Sequence, residues 1–402
     1  MAPARNVIIA GAGIGGLTAA LALARAGLRA TVLEQAERLE ETGAGIQLSP
    51  NATRILLHLG LGERLKPSIV APEAIRVMAG GSAREIVRIP LGRTAEARYG
   101  APYWMIHRGD LQTALAEAAR STIDVAIQLG TRVDDFAVHP HGVTVQARRG
   151  MQVVEERCVA LIGADGLWSG VRARMRRDRP PRFCHRTAWR ALLPAQAVPA
   201  EFREPMVHLW LGREAHLVHY PVRGGALINI VAIADDEWRA RGWNAAGTRE
   251  EVLRRFSRWD WADAPRALLA LPDQWLKWAL YDRRVPHRGG KGPIALLGDA
   301  AHPMLPFLAQ GAAMAIEDAA VLAAHLSRGM DNPAHALRVY EQARRKRTAR
   351  VQRAARRQGR IYGRFGPEGL LRNLAMRMMG GEKLLTRYDW LYNWRVSELW
   401  PE

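Results

Sequence analysis

The chain of 402 residues carries 58 Lys and Arg against 39 Asp and Glu, a formal charge of +19, and 48% of it is hydrophobic. Such a composition belongs to a globular protein of two or three domains, and no apolar run reaches the roughly 18 residues that cross a bilayer. The opening MAPARNVIIAGAG enters a strand at once, which predicts no signal peptide; Cys158 and Cys184 match no metal or redox spacing and suit a reducing, cytoplasmic compartment.

In chain order, NVIIA (6–10) reads as a short buried strand, GAGIGG as a glycine turn, LTAALALARAG (17–27) as an Ala/Leu helix and LRATVLEQ (28–35) as a second strand. Alternating segments at 75–89 and 123–157 read as strands, with DLQTALAEAAR (110–120) a helix between them, and 158–166 as a buried strand ending in a turn. From 183 to 233, TAWRALLP, MVHLWLG, HLVHYPV and ALINIVAIA alternate and break at Gly-Gly or Pro, which predicts an antiparallel sheet with one covered face. Residues 238–280 read as a Trp-rich helical stretch, IALLG (294–298) as another buried strand, and the remainder as helices.

The expected fold class is therefore α/β: a split Rossmann-type domain with a mostly antiparallel sheet domain inserted and a helical C-terminal region. The boundaries assign 1–73, 106–180 and 286–362 to the first domain, 74–105 and 181–285 to the sheet domain, and 363–402 to the C-terminal segment.

Positive charge concentrates in RRKRTARVQRAARRQGR (344–360), nine Lys or Arg without an acid. Helical spacing puts Arg350, Arg353, Arg357 and Arg360 near one solvated face. No zinc-finger, RNA-binding or helix-turn-helix signal accompanies them, so neither nucleic acid nor integral membrane contact is expected. The charge instead raises the local concentration of anionic substrates.

Gly11, Gly13 and Gly16 form G-x-G-x-x-G between a strand and a helix, and Glu34 closes the next strand beside Gln35. In that setting the first two glycines let backbone approach a pyrophosphate, the third lets helix and strand pack, and the acid accepts from ribose hydroxyls. A dinucleotide binds here. Three further segments join it: IHRGDL with Arg108 before a helix, LIGADGLWSGVR with Asp165 at a turn, and LLGDAAHPMLPFLAQGAAMAIEDA (296–319) with Asp299 after a strand.

These four motifs, in this order, resemble the FAD-dependent aromatic hydroxylases, the single-component flavoprotein monooxygenases, over essentially the whole chain. The resemblance implies a glutathione-reductase-like, three-layer FAD domain. It assigns Glu34 to the AMP half of FAD, Arg108 to its phosphates or ribityl chain, Asp165 to FAD and nicotinamide binding, and Asp299 to the ribityl chain. Gln47 is placed by the flavin, and Gln310, Gly311 and Ala312 at a small-residue helix start that meets the reduced ring. NADH or NADPH visits as cosubstrate, and oxygen added at the flavin C4a hydroxylates a small phenolic acid.

His216 and Tyr220 fall on one face of a strand, four residues apart, and the resemblance places them at the substrate. His302 either faces the ring pocket or bonds backbone and holds the loop. GAGIQLSPNA, HLVHYPVRGG and RYDWLYNWR look most like the salicylate hydroxylase branch. Pro306 stands where 3-hydroxybenzoate 6-hydroxylases tend to carry Gln, and Ala309 suits the salicylate-like branch. The leading expectation is salicylate converted to catechol with loss of carbon dioxide; the alternatives are 3-hydroxybenzoate, 6-hydroxynicotinate or a non-aromatic acceptor. A rival of another class is a flavin-binding protein without turnover, docked through its basic helix. His208 and Trp210 are expected in the core, and the C-terminal aromatics as a cap or a homodimer contact.

Overall fold

The computed structural model describes residues 6–39, 44–176, 179–238, 240, 242–257, 260–283 and 290–396. Its first layer system is a five-stranded parallel sheet in the order Ile294–Leu296, Ala160–Gly163, Asn6–Ala10, Arg29–Leu33, Val125–Gln128. Val7, Ile8 and Ile9 have no exposed surface, because both faces of this sheet are covered, as parallel sheets require. The helices Ile14–Arg25 and Gly311–Arg328 cover one face. An antiparallel sheet of Thr131–His139, Gly142–Arg149 and Gln152–Cys158 covers the other through Val143, Val145 and Ala147.

Small residues set how closely the two helices approach. A Cβ on Gly15 would lie 2.6 Å from the Leu297 side chain and 3.0 Å from that of Ala315. That contact holds the glycine turn against the Gly298–Gly311 loop.

The second sheet has eight strands, in the order Asn244–Thr248, Gln274–Asp282, Arg182–Pro194, Leu227–Asp235, Ala215–Val222, Val207–Leu211, Ala74–Ala79, Glu85–Pro90. All its pairings are antiparallel except Val207–Leu211 with Ala74–Ala79, where an early strand joins from the other side of the chain. Trp189, Trp210, Leu217, Ile228 and Ile230 pack one face onto the helices Arg249–Phe256 and Asp263–Ala270. Strand alternation then turns His216, Val218 and Tyr220 to the opposite face.

Residues 238–280 are not one helical stretch. Asn244–Thr248 and Gln274–Asp282 are strands, and within the latter Trp275 is 1% exposed while Leu276 is 50% exposed. That two-residue period outweighs the bulk of the tryptophans, which fill the covered face. The basic run also departs from a purely solvated helix. It lies in Pro333–Tyr362, where Arg344 and Arg347 pair with the buried Glu317 and Arg356 pairs with Asp282, while Arg353, Arg357 and Arg360 stay exposed. Among the described residues no helix is long and apolar enough to cross a membrane, and no His/Cys/Asp/Glu cluster could hold a metal ion.

Candidate active site

The glycine turn is shaped by close approach. Gly11 sits at φ +106°, where a Cβ would lie 2.7 Å from the Ala164 carbonyl oxygen, and a Cβ on Gly16 would meet the Gly11 carbonyl oxygen at 2.0 Å. Gly13 differs: nothing lies within 4 Å of its Cβ position, and it borders the central cavity. It is also the N-cap of Ile14–Arg25 without a side-chain cap, so first-turn N–H groups are left for a ligand. Glu34 braces this turn by accepting from the Ala12 N–H at 2.7 Å and the Ala36 N–H at 2.9 Å; the adjoining Gln35 is exposed.

Arg108 opens the helix Arg108–Arg120 and borders the same cavity as Asp299. Burial raises the Asp299 carboxyl, and His302 and Arg108 oppose that rise. Asp165 accepts from the Val171 N–H at 3.0 Å through Oδ2, while its buried Oδ1 has no hydrogen-bond partner among the described residues. Its neighbours Ala164 and Gly166 border the cavity, whereas Asp165 itself braces the turn.

The loop between Gly298 and Gly311 is fixed from below. The His302 Nε2 lies 2.5 Å from Asp318 Oδ2, which also accepts from the Gly298 N–H at 3.0 Å. Arg344 bridges Asp318 and Glu317 at 2.6 and 2.7 Å. Glu317 in turn accepts from Asn51 at 2.7 Å, and Asn51 donates to Gln310 at 3.2 Å, whose amide donates to Ser49 at 2.8 Å. Both ends of the loop, His302 and Gln310, thus hang from one buried network. Burial alone would raise the Asp318 carboxyl, but His302 and Arg344 outweigh it and hold it at about 2. His302 is a brace for the loop in this arrangement, and it does not border the cavity. Sequence reasoning passed over Asp318, Glu317, Asn51 and Arg344. The available signal was the pair of acids inside the apolar AAMAIEDAAVLAA, which a buried helix cannot hold unpaired.

Above this network the loop presents Met304, Pro306 and Phe307 to a cavity of about 420 Å³, with Gly311 and Ala312 at the helix start beside them. Nothing lies within 4 Å of a Cβ on Gly311, and Gln310 gives the helix no side-chain cap. The helix therefore points unpaired N–H groups and the positive end of its dipole toward the cavity.

The eight-stranded sheet forms the facing wall, with His216 and Tyr220 both on it. The His216 ring lies between Phe307 and Tyr362, at centroid distances of 5.5 and 5.3 Å, and burial pushes it down to about 3. It is a neutral imidazole at physiological pH. Burial pushes the Tyr220 phenol up, so it stays protonated. Gln47 accepts from the Tyr103 hydroxyl at 2.8 Å at one edge of the cavity. Tyr388 and Tyr392 close another edge, which gives the C-terminal aromatics a role beyond capping. Asp389, bound by Arg98 and the Tyr99 hydroxyl, and Arg347, bonded to the Trp390 and Leu391 carbonyls, hold that segment down. His208 and Trp210 lie on the opposite face, in the core as expected; the His208 ring is stacked on His219 and Trp210 donates to His219.

Comparison with known proteins matches this arrangement. The family profile described as FAD binding domain covers residues 4–356. The chain is 40% identical over 390 residues to 3-hydroxybenzoate 6-hydroxylase 1 of Aquipseudomonas alcaligenes, covering 97% of this chain and 96% of that protein. It is 37% identical over 388 residues to the 3-amino-4-hydroxybenzoate 2-monooxygenase of Streptomyces cremeus, covering 96% and 94%. A solved salicylate hydroxylase substrate complex superposes with a TM-score of 0.81 at 25% identity, covering 98% of this chain and 96% of that one. The residues present fit FAD: an open Gly13 and Gly311, each at an uncapped helix N-terminus, border one cavity with Arg108 and Asp299. With the layered fold, the cavity beside the glycine turn and relatives matched over more than 90% of their length in agreement, the chain belongs to the FAD-binding-domain family and is an FAD-dependent aromatic hydroxylase.

Proposed function

We propose that this hydroxylase acts on a monohydroxybenzoate, with 3-hydroxybenzoate the leading substrate and 2,5-dihydroxybenzoate the product. The observation that carries the reading is the single cavity in which the loop Met304–Ala312 faces His216 and Tyr220. Relatives at 40% and 37% identity named 3-hydroxybenzoate 6-hydroxylases support the substrate and the position of attack. The balance is one substrate, one O2, one NAD(P)H and one proton giving the hydroxylated acid, water and NAD(P)+. FAD supplies the reduction of oxygen and its transfer to the ring.

The chain's own residues bind, orient and exclude water. N–H groups at Gly311–Ala313 stabilise negative charge on the cofactor, while Arg108 and Asp299 hold its chain. His216, neutral at working pH, accepts the hydrogen bond of the substrate phenol and enriches the ring with electrons. Tyr220 donates to the same oxygen. Phe307, Met304 and Leu209 keep water from the reacting carbon.

Salicylate is the second reading, favoured by Pro306 on the cavity wall where an amide would otherwise assist the phenol. The purified yellow protein separates the two in one panel: 3-hydroxybenzoate, salicylate, 3-amino-4-hydroxybenzoate and 6-hydroxynicotinate, scored for stimulated NADH oxidation and for product. Formation of 2,5-dihydroxybenzoate supports the first reading and catechol the second. Absence of product from every hydroxybenzoate refutes both.

A further inference from the structure

Arg190 borders the cavity from the strand Arg182–Pro194, yet no hydrogen bond or ion pair joins it to any described residue. Its Nε is sealed from solvent without an acceptor. Its guanidinium stacks over the face of Trp278 at 4.6 Å. A guanidinium keeps its proton in proteins, so this is a half-buried cation whose sealed Nε–H lacks an acceptor and which has no anion among the described residues. Such a charge is costly unless something supplies the missing acceptors, and stacking on an indole offsets only part of that cost.

The sheet register says where this cation lies. Arg190 pairs with Val231, and Val231 pairs with Val218, midway between His216 and Tyr220. The three residues form one row across three strands, all on the cavity wall. Two strand spacings, roughly 10 Å, separate the Arg190 backbone from the His216/Tyr220 strand, and side chains converge over that gap. The ground between is apolar, with Val218, Val231 and Ile233. The wall thus has a phenol-binding pole, an apolar floor wide enough for a ring, and a cationic pole. Among the residues lining the cavity the only acid is Asp299, and it interacts with the other cation, Arg108.

We propose that Arg190 is the carboxylate anchor of the substrate cavity, its fork receiving the acid group of an aromatic carboxylate whose hydroxyl sits at His216 and Tyr220. This rests on the reading of the substrate as a hydroxybenzoate. The planar fork matches two carboxylate oxygens, which a lysine cannot do.

The test uses holoenzyme and two unreactive probes, benzoate and benzamide, with dissociation constants read from the flavin absorbance. The native protein prefers benzoate by about 100-fold, the worth of one charge-assisted bidentate contact. In Arg190→Gln that preference falls to within about 3-fold, benzamide binds as before, and FAD content is unchanged. Arg190→Lys keeps the charge and about a tenth of the preference. Native protein that does not distinguish the probes, Arg190→Gln that retains the preference, or a variant that loses FAD while discriminating normally, each overturns the anchor. Because neither probe is hydroxylated, failure of the substrate panel and failure of the anchor are separate results.

Discussion

Two sets of charge lie on opposite sides of the same loop, and they are treated differently. Beneath it, Glu317 and Asp318 are fully buried and Arg344 is 4% exposed, and all three are joined by bonds of 2.6–2.7 Å. Across the cavity, Arg190 has no anion among the described residues. Charges satisfied within the fold hold a shape, whereas a charge left unsatisfied at a cavity wall is held for something that arrives. The seat of the flavin is therefore scaffolding and the opposite wall is recognition.

The sharpest way to break this contrast is to remove one cation from each side. Arg344→Met leaves Asp318 short of a partner and severs the link to Glu317, which costs about 3–5 kcal/mol and lowers the urea midpoint sharply. Arg190→Gln removes a charge that has no partner to strand, so its stability stays within about 1 kcal/mol of the native protein. Equal losses in the two variants would erase the distinction.

The next effect separates ligand from scaffold at the two ends of the cavity. His216→Ala cuts hydroxylation on the order of 100-fold, the low end for a group that handles a substrate proton. FAD content and NADH oxidation without substrate remain as they were. Unchanged product formation would remove His216 from the chemistry. Gly13→Val tests the other end. A Cβ there meets nothing within 4 Å, so the fold survives, but the side chain fills the space where the pyrophosphate approaches. FAD affinity falls about 100-fold, equivalent to ~2.7 kcal/mol, with thermal stability of the apoprotein unchanged.

The same contrast explains what was legible in the sequence. The flavin side is written in contiguous strings: GAGIGG, HRGDL, GADG and the GD loop each keep their glycine, acid or arginine within a few residues of a strand end. Local turn chemistry is short-range, so the motifs survive as words. The recognition side is assembled from residues far apart in the chain: Gln47 beside Tyr103, His216 and Tyr220 on a later strand, and Tyr388 and Tyr392 near the C-terminus, all around one cavity. Period-two alternation did place His216 with Tyr220. It could not say that Arg190 lies in the row between them, because that depends on register across Leu227–Asp235. Nor could it show that His302 turns toward Asp318, since the two readings differ only in a side-chain direction.

The smallest effect, a pH slope, still distinguishes the regions because their groups titrate in different windows. On the sheet side, burial holds His216 neutral down to about 3 and His208 down to about 4, and His219 lies well below its ordinary value. For His208 the Arg76 guanidinium adds to that push and Glu204 opposes it; for His219 it is His208 and Arg76 that add. In the unfolded chain each would bind a proton near pH 6.5, so between pH 6.5 and about 4 the unfolded state holds more protons than the folded one. Stability is therefore complete above pH 6.5 and falls as the pH drops, by up to about 1.4 kcal/mol per pH unit for each histidine. Asp318 has the same sign in a lower window: its folded carboxyl sits at about 2 against 3.8 in the unfolded chain, so its share is lost only as the pH falls through that range. Urea denaturation from pH 7 to pH 4.5 spans the histidine window, with the raised carboxyls of Asp165, Asp299 and Glu341 acting in the opposite sense. His216→Phe, whose ring suits the aromatic company of Phe307 and Tyr362, makes that slope shallower. A slope unchanged by His216→Phe would mean that the cavity histidine takes up its proton as readily in the folded protein as in the unfolded chain, and that the recognition wall gains a second cation below pH 6.5.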